Sequence, residues 1–355
     1  MRGIENLEPD FWGAIRVPES LNQWEWMERH FIPVGSARAA EFRVAITPWL
    51  REPAQWIDDG VTTRLTTVLP VQSGKSLLGE GALCKWIATE LGGDVQYNWE
   101  DDEKGRQRWK KRVRPIFQAC APVQDLWPRN RRHEENGLVV FPHLNFTMQG
   151  VHVSSNLESD AVKKQVNEEV HAWQPGRMEM ANARQSAYRD SPGLFQLNVS
   201  TGGVIGDQLH NLWTASTQQL WEEPCPHCGE YQHFHVKVDR DRRGGLHYDS
   251  EGARLEGGGY DYAILAKSIY YECEHCGGKI LDDPNERRAR AEAGRWSEPA
   301  AGTSLAERGV RMEQVSIYWI PWVDIIRQKH IALANMRQGD DQAYKIYIQR
   351  IEAGF

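Results

Sequence analysis

Residues 64–76 read RLTTVLPVQSGKS and join a run of β-branched and apolar residues to a turn that carries Gly-Lys-Ser. The run is typical of a buried strand. The segment after the turn carries apolar residues at helical spacing, namely Leu78, Ala82, Leu83, Trp86 and Ile87. This helix is expected to end near Gly92-Gly93. Strand, turn and helix in this order predict the first unit of an α/β fold.

The turn itself matches part of a phosphate-binding loop. Such a loop needs backbone N–H groups at a helix N-terminus, a cation and a hydroxyl that can hold Mg²⁺. Gly74, Lys75 and Ser76 supply these groups in the required order. The first glycine of the full G-x-x-x-x-G-K-[ST] signature would fall at Leu69, so the loop is a variant. The alternative is the solvated start of an ordinary helix.

The rest of the chain continues the α/β pattern. Helix signals lie at 23–30, 48–57 and 102–119, and a helix-like run closes the chain up to Gln349. Strand-like segments are DVQYNW, LVVF, LNFTMQGVHV, LFQLNV and, after Gly302, VSIYWI. Strands that alternate with helices predict an α/β core.

Glu168-Glu169, in the segment VKKQVNEEVHAW, is the candidate acidic pair. An ATPase needs one carboxylate near Mg²⁺ and another that orients the attacking water. Lysines interrupt the apolar residues before the pair, so a fully buried strand is poorly indicated there. The alternative is an ordinary exposed pair of glutamates.

Four of the six cysteines form two C-x-x-C pairs, Cys225/Cys228 and Cys273/Cys276. Two such turns supply the four thiolates of a tetrahedral zinc site, which we expect to be structural. A redox pair or four unrelated thiols are the alternatives. His227 and His275 lie inside the turns and are interpreted as bystanders. Cys84 and Cys120 are predicted to be core thiols.

Composition and charge exclude some classes of protein. The 355 residues carry a formal charge of −7, which excludes a uniformly basic surface for nucleic acid. No apolar run approaches the roughly 20 residues that a membrane span needs. Seven basic residues nevertheless occur between Lys104 and Arg114. They predict either a face that follows DNA phosphates or a solvated helix with internal ion pairs.

The order of these motifs resembles the large subunit of phage DNA-packaging terminases of the lambda type. The resemblance is carried by ITPWLREP, QSGKS, EEVHAW, STGG, the two cysteine turns, GRW and VSIYW, over roughly residues 30–350. It implies a P-loop ATPase core of the ASCE type with a small zinc-ribbon-like insertion. It also implies a motor that hydrolyses ATP to drive double-stranded DNA into a procapsid. The alternative is a catalytically inactive scaffold that binds DNA or the capsid.

The resemblance assigns roles to particular residues. Gln72, Ser73, Gly74, Lys75 and Ser76 match the phosphate loop, with Lys75 on the β- and γ-phosphates of ATP and Ser76 on Mg²⁺. Glu168 stands where the family has a metal-associated Asp, and Glu169 matches the glutamate that positions water. Ser200-Thr201 resemble the family's Ser-Thr-Pro coupling motif, with Gly202 in place of proline. Arg184 matches a candidate arginine finger.

The resemblance also implies an organisation and partners. Expected units are an N-terminal segment at 1–60, the ATPase core at 61–217, the zinc module at 218–300 and a closing strand with a helical linker at 301–355. The chain stops where a nuclease domain would begin, so no DNA cutting is expected from it alone, and a separate nuclease subunit is one possible partner. Other expected partners are double-stranded DNA, the terminase small subunit and the procapsid portal, with no membrane. A ring of subunits in the host cytoplasm, transiently at the portal, is the expected working form.

Overall fold

The computed structural model describes residues 20–35, 41–135, 137–158 and 160–355. Residues 1–19 and 36–40 of the predicted N-terminal segment therefore lie outside the described residues. No helix in the described part is long and apolar enough to cross a bilayer.

The predicted alternation of strands and helices is confirmed. The strands are β1 (Arg64–Val68), β2 (Val95–Trp99), β3 (Glu134–Glu135), β4 (Leu138–Val140), β5 (Asn145–Gly150), β6 (Lys164–Glu168), β7 (Phe195–Ser200), β8 (Gln219–Pro224), β9 (Tyr231–His233), β10 (Leu246–His247), β11 (Tyr270–Glu272), β12 (Lys279–Leu281), β13 (Arg295–Trp296) and β14 (Glu307–Arg311).

Helices lie near each of the predicted positions. The helices of the described residues are α1 (Gln23–His30), α2 (Arg51–Trp56), α3 (Lys75–Thr89), α4 (Asp102–Arg108), α5 (Arg114–Ala119), α6 (Ala121–Gln124), α7 (Arg177–Ala183), α8 (Gln208–Thr214), α9 (Tyr262–Ala266), α10 (Pro284–Glu292), α11 (Trp322–Arg337) and α12 (Asp341–Ile351). Of these, α6 to α10 were not predicted from the sequence. A π-helical turn, Trp109–Val113, joins α4 to α5. Short 3₁₀ turns include Val44–Ile46, Pro48–Leu50, Ser154–Leu157, Val170–Ala172 and Gln314–Ser316.

Eleven of the described strands form one central sheet in the order β13-β8-β14-β1-β7-β6-β2-β5-β4-β3, with β9 beside β8. The pairings from β8 through to β5 are parallel. Parallel strands carry helices on both faces and are therefore buried. In β7, all six residues are buried. Because the parallel strands end at the same edge, the residues that follow β1, β6 and β7 come together there.

The strand β6 is fully buried although its sequence, KQVNE, is mostly polar. The interpretation that a buried strand is poorly indicated before the two glutamates is therefore wrong. Its amide side chains pair across the sheet: Asn167 Nδ2 donates to Asn198 Oδ1 at 2.8 Å, and Asn167 Oδ1 accepts from Asn98 Nδ2 at 2.9 Å. Lys164 Nζ lies 2.8 Å from Glu90 Oε1. Buried polar groups are tolerated when they are paired in this way.

The strand near the end of the chain differs from the prediction. VSIYWI does not form a strand, because Gln314–Ser316 is a 3₁₀ turn and the residues after it make no sheet pairing. The closing strand is β14, whose residues pair with β1 in parallel along its full length. It therefore lies inside the sheet, next to the strand that leads into the Gly-Lys-Ser turn.

Residues 218–300, the predicted inserted region, contribute to both a small sheet and the central sheet. β10, β11 and β12 form a separate antiparallel sheet. β8, which begins at Gln219, pairs in parallel with β14 in the central sheet. One hydrophobic cluster extends from Trp26 to Ile351 and includes Tyr271 of the inserted region.

The described part of the first 60 residues packs on α3. Lys85 Nζ donates to Leu21 O at 2.8 Å and to Asp58 Oδ2 at 2.6 Å. A Cβ at Gly81 would come within 2.4 Å of the Met27 side chain, so α1 and α3 approach closely at this glycine. Cys84 and Cys120 are both buried, as predicted for core thiols.

Candidate functional site

The Gly-Lys-Ser turn follows β1 at the carboxyl edge of the sheet and opens α3. Gln72 and Gly74 both have left-handed backbone, with φ of 66° and 82°. Such a conformation favours glycine and is strained at Gln72. Trp49 Nε1 donates to Ser73 O at 2.8 Å and so fixes the loop from the N-terminal side. The structure therefore holds a bent loop whose backbone leads into a helix N-terminus, the geometry in which N–H groups bind phosphate.

Glu168 is the last residue of β6, and its side chain is completely buried. The alternative of an ordinary exposed glutamate is wrong for this residue. Ser76 Oγ donates to Glu168 Oε2 at 3.3 Å, and the Tyr97 hydroxyl donates to Oε1 at 2.9 Å. Burial raises the pKa of Glu168 to about 7. A buried carboxyl and a hydroxyl thus lie side by side at the start of α3.

Glu169 turns out of the strand with left-handed backbone, φ 52°, and faces the same loop. Its Oε1 lies 3.5 Å from Lys75 Nζ. Its Oε2 accepts a hydrogen bond from Thr201 Oγ1 at 3.4 Å and lies 3.3 Å from His171 Nδ1. Burial acts to raise the pKa of Glu169, but the His171 hydrogen bond and the Lys75 charge outweigh it and lower the pKa to about 2. Glu169 is therefore held as an anion.

A cavity of about 620 Å³ opens beside the loop. Gly74, Lys75 and Ser76 line one part of it, and Phe42 and Ile46 add apolar surface. Its remaining basic lining residues are Arg43, Arg108 and Arg112.

Arg108 and Arg112 contact Glu80, a completely buried carboxylate on α3. Arg108 Nη2 donates to Glu80 Oε1 at 2.8 Å, and Arg112 Nη2 donates to Oε2 at 2.8 Å. The Arg108 guanidinium also lies over the Trp99 ring, 4.8 Å from its centroid. These contacts connect the segment 102–119 to α3, the helix that follows the Gly-Lys-Ser turn.

Several of these residues were missed by sequence reasoning. Tyr97 and Glu80 carry no motif, and His171 lies within EEVHAW but was given no role; the three residues reach the site from three different elements. A charged Glu80 within the apolar and small residues of LLGEGAL was the signal available, because a lone carboxylate on a buried helix face needs a partner.

Arg184 lies elsewhere. It follows α7 and lines a different cavity, together with Asp94, Val95 and Val162. Its carbonyl accepts a hydrogen bond from Val162 N, just before β6 begins. Arg184 is thus at the amino edge of the sheet, roughly a strand length away from Glu168. The structure does not bring it to the phosphate loop of its own chain.

The four cysteines of the two C-x-x-C turns come together. All four sulfur atoms lie within 4.8 Å of one another. Cys225 Sγ is 3.9 Å from Cys276 Sγ, and Cys228 Sγ is 3.8 Å from Cys273 Sγ. The imidazoles of His227 and His275 contact the carbonyls of Lys279 and Tyr231 instead. Among the described residues, these four cysteines form a group of side chains that could hold a metal ion.

The basic residues at 104–114 fit both predicted interpretations in part, because some form ion pairs within the protein and others are exposed. Four of its residues, Lys104, Arg108, Arg112 and Arg114, form ion pairs with Glu100, Glu80 or Glu134. Arg106, Lys110 and Lys111 are exposed. The internal ion pairs are therefore present, and the exposed basic surface is narrower than the sequence suggests.

A largely parallel α/β sheet with a Gly-Lys-Ser turn and two carboxylates at its carboxyl edge is the architecture of a nucleotide-binding ATPase domain. The family model of the phage terminase large subunit gpA, ATPase domain, matches residues 36–296. The chain belongs to this family.

Comparison with solved structures finds large terminases of other phages. The large terminase of bacteriophage HK97 is 12% identical, with a TM-score of 0.45, over 54% of this chain and 40% of that one. The large terminase ATPase domain of Thermus phage P74-26 is 11% identical, with a TM-score of 0.44, over 88% of this chain and 93% of that one. The chain thus spans less than half of the HK97 protein. No curated protein matches the sequence.

Proposed function

We propose that this chain is the ATP-hydrolysing motor portion of a phage terminase, which drives double-stranded DNA into a procapsid. The observation that carries the proposal is the convergence of Lys75, Ser76, Glu168, Glu169 and Thr201 at one edge of the sheet. These residues come from three separate parts of the chain. Family membership supports the same function.

The residues divide the work by their chemistry. The backbone of Gln72–Ser76 would bind the phosphates of ATP, and Lys75 would place its charge on the β- and γ-phosphates. Glu169 is anionic and partly accessible, so it would orient the attacking water and accept a proton from it. Thr201 donates a hydrogen bond to Glu169 and follows β7. A change in the position of the Glu169 carboxylate would therefore be transmitted to the segment after β7.

The site also fits a magnesium ion. Ser76 and Glu168 offer a hydroxyl and a carboxylate oxygen 3.3 Å apart, which are the oxygen donors that Mg²⁺ prefers. Mg²⁺ would neutralise negative charge on the phosphates when bound there. Glu168 has the reach to hold it, because its side chain already spans from β6 to the first turn of α3.

The cysteine cluster fits a structural zinc ion. Four sulfurs at about 2.3 Å from one zinc ion are about 3.8 Å apart, close to the 3.8 and 3.9 Å separations of the two sulfur pairs. His227 N donates to Cys225 Sγ at 3.4 Å and Cys276 N to Cys273 Sγ at 3.5 Å. Zinc would join the two cysteine turns within the zinc-ribbon-like module at 218–300.

The remaining assignments follow from the proposed motor. Its partners would be double-stranded DNA, a small subunit and the portal, and it would work as a ring in the host cytoplasm. The four predicted units at 1–60, 61–217, 218–300 and 301–355 remain the proposed division of the chain. In such a ring Arg184 would act on the site of a neighbouring subunit, as an arginine finger supplied in trans.

The test is Mg²⁺-dependent ATP hydrolysis by the purified chain, with and without linear double-stranded DNA. Lys75→Ala should remove turnover, because the charge that contacts the phosphates is lost. The matched control is Lys267→Ala, which removes an exposed lysine in the proposed zinc-ribbon-like module at 218–300. Turnover that requires Lys75 and rises with DNA supports the motor. A folded wild-type chain that binds DNA but never hydrolyses ATP, even with portal and small subunit added, would support the inactive scaffold instead.

The zinc proposal has its own test. Metal analysis of the purified chain should give about one zinc per chain, because the four thiolates form one site. Cys225→Ser/Cys273→Ser should lose the metal and lower the melting temperature. Cys84→Ser/Cys120→Ser changes two buried thiols outside the cluster and should keep it. A wild-type chain without zinc, but with C-x-x-C disulfides, would contradict the proposal.

A further inference from the structure

The cavity beside the phosphate loop contains a second group of basic side chains that the proposed function does not use. Arg108 and Arg112, from the segment 102–119, line the same cavity as Gly74, Lys75 and Ser76. Both side chains are less than a quarter exposed. Two partly buried cations at one cavity wall require negative charge nearby.

Glu80 alone does not supply enough negative charge to balance both Arg108 and Arg112. Glu80 is a single carboxylate, and Arg112 engages both of its oxygens through Nε and Nη2. Arg108 shares only Oε1 through Nη2. The Nε of Arg108 is buried and has no hydrogen-bond partner among the described residues. Because Arg108 shares a single oxygen of Glu80, its guanidinium, which carries five N–H donors, keeps donors for a further anion.

The position of Arg108 is defined rather than free. Its guanidinium lies over the Trp99 ring at 4.8 Å and is tied to Glu80 on the helix that Lys75 begins. It is close enough to Glu168 for its charge to lower the pKa of that carboxyl, against the larger effect of burial. A π-helical turn begins at the next residue. Such turns are rare and are frequent at functional sites.

We infer that Arg108 is a phosphate-contacting residue in cis, which binds the terminal phosphate of the triphosphate held by Lys75 and Ser76. Glu80 and Arg112 are positioning residues that hold Arg108 toward the cavity. A guanidinium suits a phosphate because its planar donors match the phosphate oxygens. The inference rests on the proposed nucleotide site and adds how that site distinguishes a triphosphate from a diphosphate.

The experiment compares binding of ADP and of the β,γ-imido analogue of ATP, both with Mg²⁺, by calorimetry on the full chain. The wild-type chain should bind the triphosphate analogue about 10- to 100-fold more tightly, the range expected for a charge-assisted hydrogen bond. Arg108→Gln should reduce this preference to about threefold or less and leave ADP affinity unchanged. Arg106→Gln removes the same charge from an exposed position of α4 and should keep the preference.

Thermal unfolding of each variant separates a phosphate contact from a structural role. If Arg108→Gln does not fold, Arg108→Lys takes its place, because lysine keeps the charge but loses the planar donors. The Arg108→Lys variant should bind ADP normally and show a reduced preference for the triphosphate analogue. An unchanged preference, or an ADP affinity that falls as far as that of the triphosphate, overturns the inference while the proposed function stands. A wild-type chain that binds neither nucleotide overturns both.

Discussion

Gly202 occupies the position of the proline in the Ser-Thr-Pro motif that Ser200-Thr201 resemble. The structure gives a physical reason for a glycine at this position. Gly202 N donates to Gln349 O at 2.8 Å, and proline has no N–H to make this bond. A Cβ at position 202 would lie 2.1 Å from Gly354 O. The C-terminal segment therefore packs directly against the backbone that follows β7. The departure from the family pattern is a packing requirement of this chain.

Gly202→Ala should destabilise the protein by about 1–3 kcal/mol, because the added methyl group forces the two backbones apart. Urea denaturation of the purified chain measures the change. Gly257→Ala is the matched control, since a Cβ there meets nothing within 4 Å. Equal stability of the two variants would show that the contact with Gly354 yields without cost.

At the scale of the element, β6 shows how polar residues can form the middle of a sheet. Asn98, Asn167 and Asn198 lie on three adjacent strands and pass hydrogen bonds from one to the next. Asn198 Nδ2 then donates to Thr66 Oγ1 at 3.2 Å on β1. This ladder of side-chain hydrogen bonds crosses the strands that lead into the Gly-Lys-Ser turn and the two glutamates. It replaces apolar packing with paired amides, which is stable only while each group has its partner.

Asn167→Leu should therefore cost about 2–4 kcal/mol, because it leaves an amide donor of Asn98 and the carbonyl of Asn198 buried without a partner. Chemical denaturation followed by circular dichroism measures this loss. Asn211→Leu, at an exposed position of α8, makes the same chemical change and should stay close to wild type. A leucine at 167 that leaves stability unchanged would mean that the ladder contributes nothing to the fold.

At the scale of the whole molecule, Glu313 joins the inserted region to the closing segment. Its Oε2 accepts a hydrogen bond from Val236 N at 2.8 Å, and its Oε1 lies 3.9 Å from Arg311 Nη2. The side chain is almost completely buried. Burial, together with the nearby Glu352 carboxylate, raises the pKa of Glu313 to about 7. The junction therefore holds a proton that the unfolded chain would release.

The pH dependence follows from the sign of this shift. Between the ordinary glutamate pKa of 4.5 and about 7, the folded protein binds a proton at Glu313 that the unfolded chain does not. Stability should thus fall as the pH rises through this window, by up to about 3 kcal/mol. Glu313→Gln keeps the acceptor for Val236 N and should remove this part of the decline. Denaturation midpoints measured from pH 4.5 to 8 give the comparison.

The control for Glu313→Gln is Glu256→Gln, which changes an exposed glutamate in the inserted region. Other buried carboxyls also titrate as the pH changes, so only the difference between each variant and wild type is used. Parallel pH profiles for wild type and Glu313→Gln would show that Glu313 is already ionised in the folded protein.

Local patterns in the sequence determined the α/β class, the turn at Gly74–Ser76 and the two cysteine turns. These features depend on short-range chemistry, since a strand, a tight turn and a helix follow one another within 30 residues. The four cysteines were recognisable because C-x-x-C spacing directs two thiols to the same side. The order of the motifs was sufficient to indicate the family that the model match confirms.

Tertiary structure alone decided the surroundings of the site. The burial of Glu168 depends on strands that are distant in sequence, and so do its partners Ser76 and Tyr97. The same holds for the pairing of Arg108 with Glu80 and for the position of Arg184 at the opposite edge of the sheet. Sequence periodicity reports how a residue is placed within its own element. It carries no information about which polar groups on other elements will meet it, and those contacts decide whether a buried charge is stable.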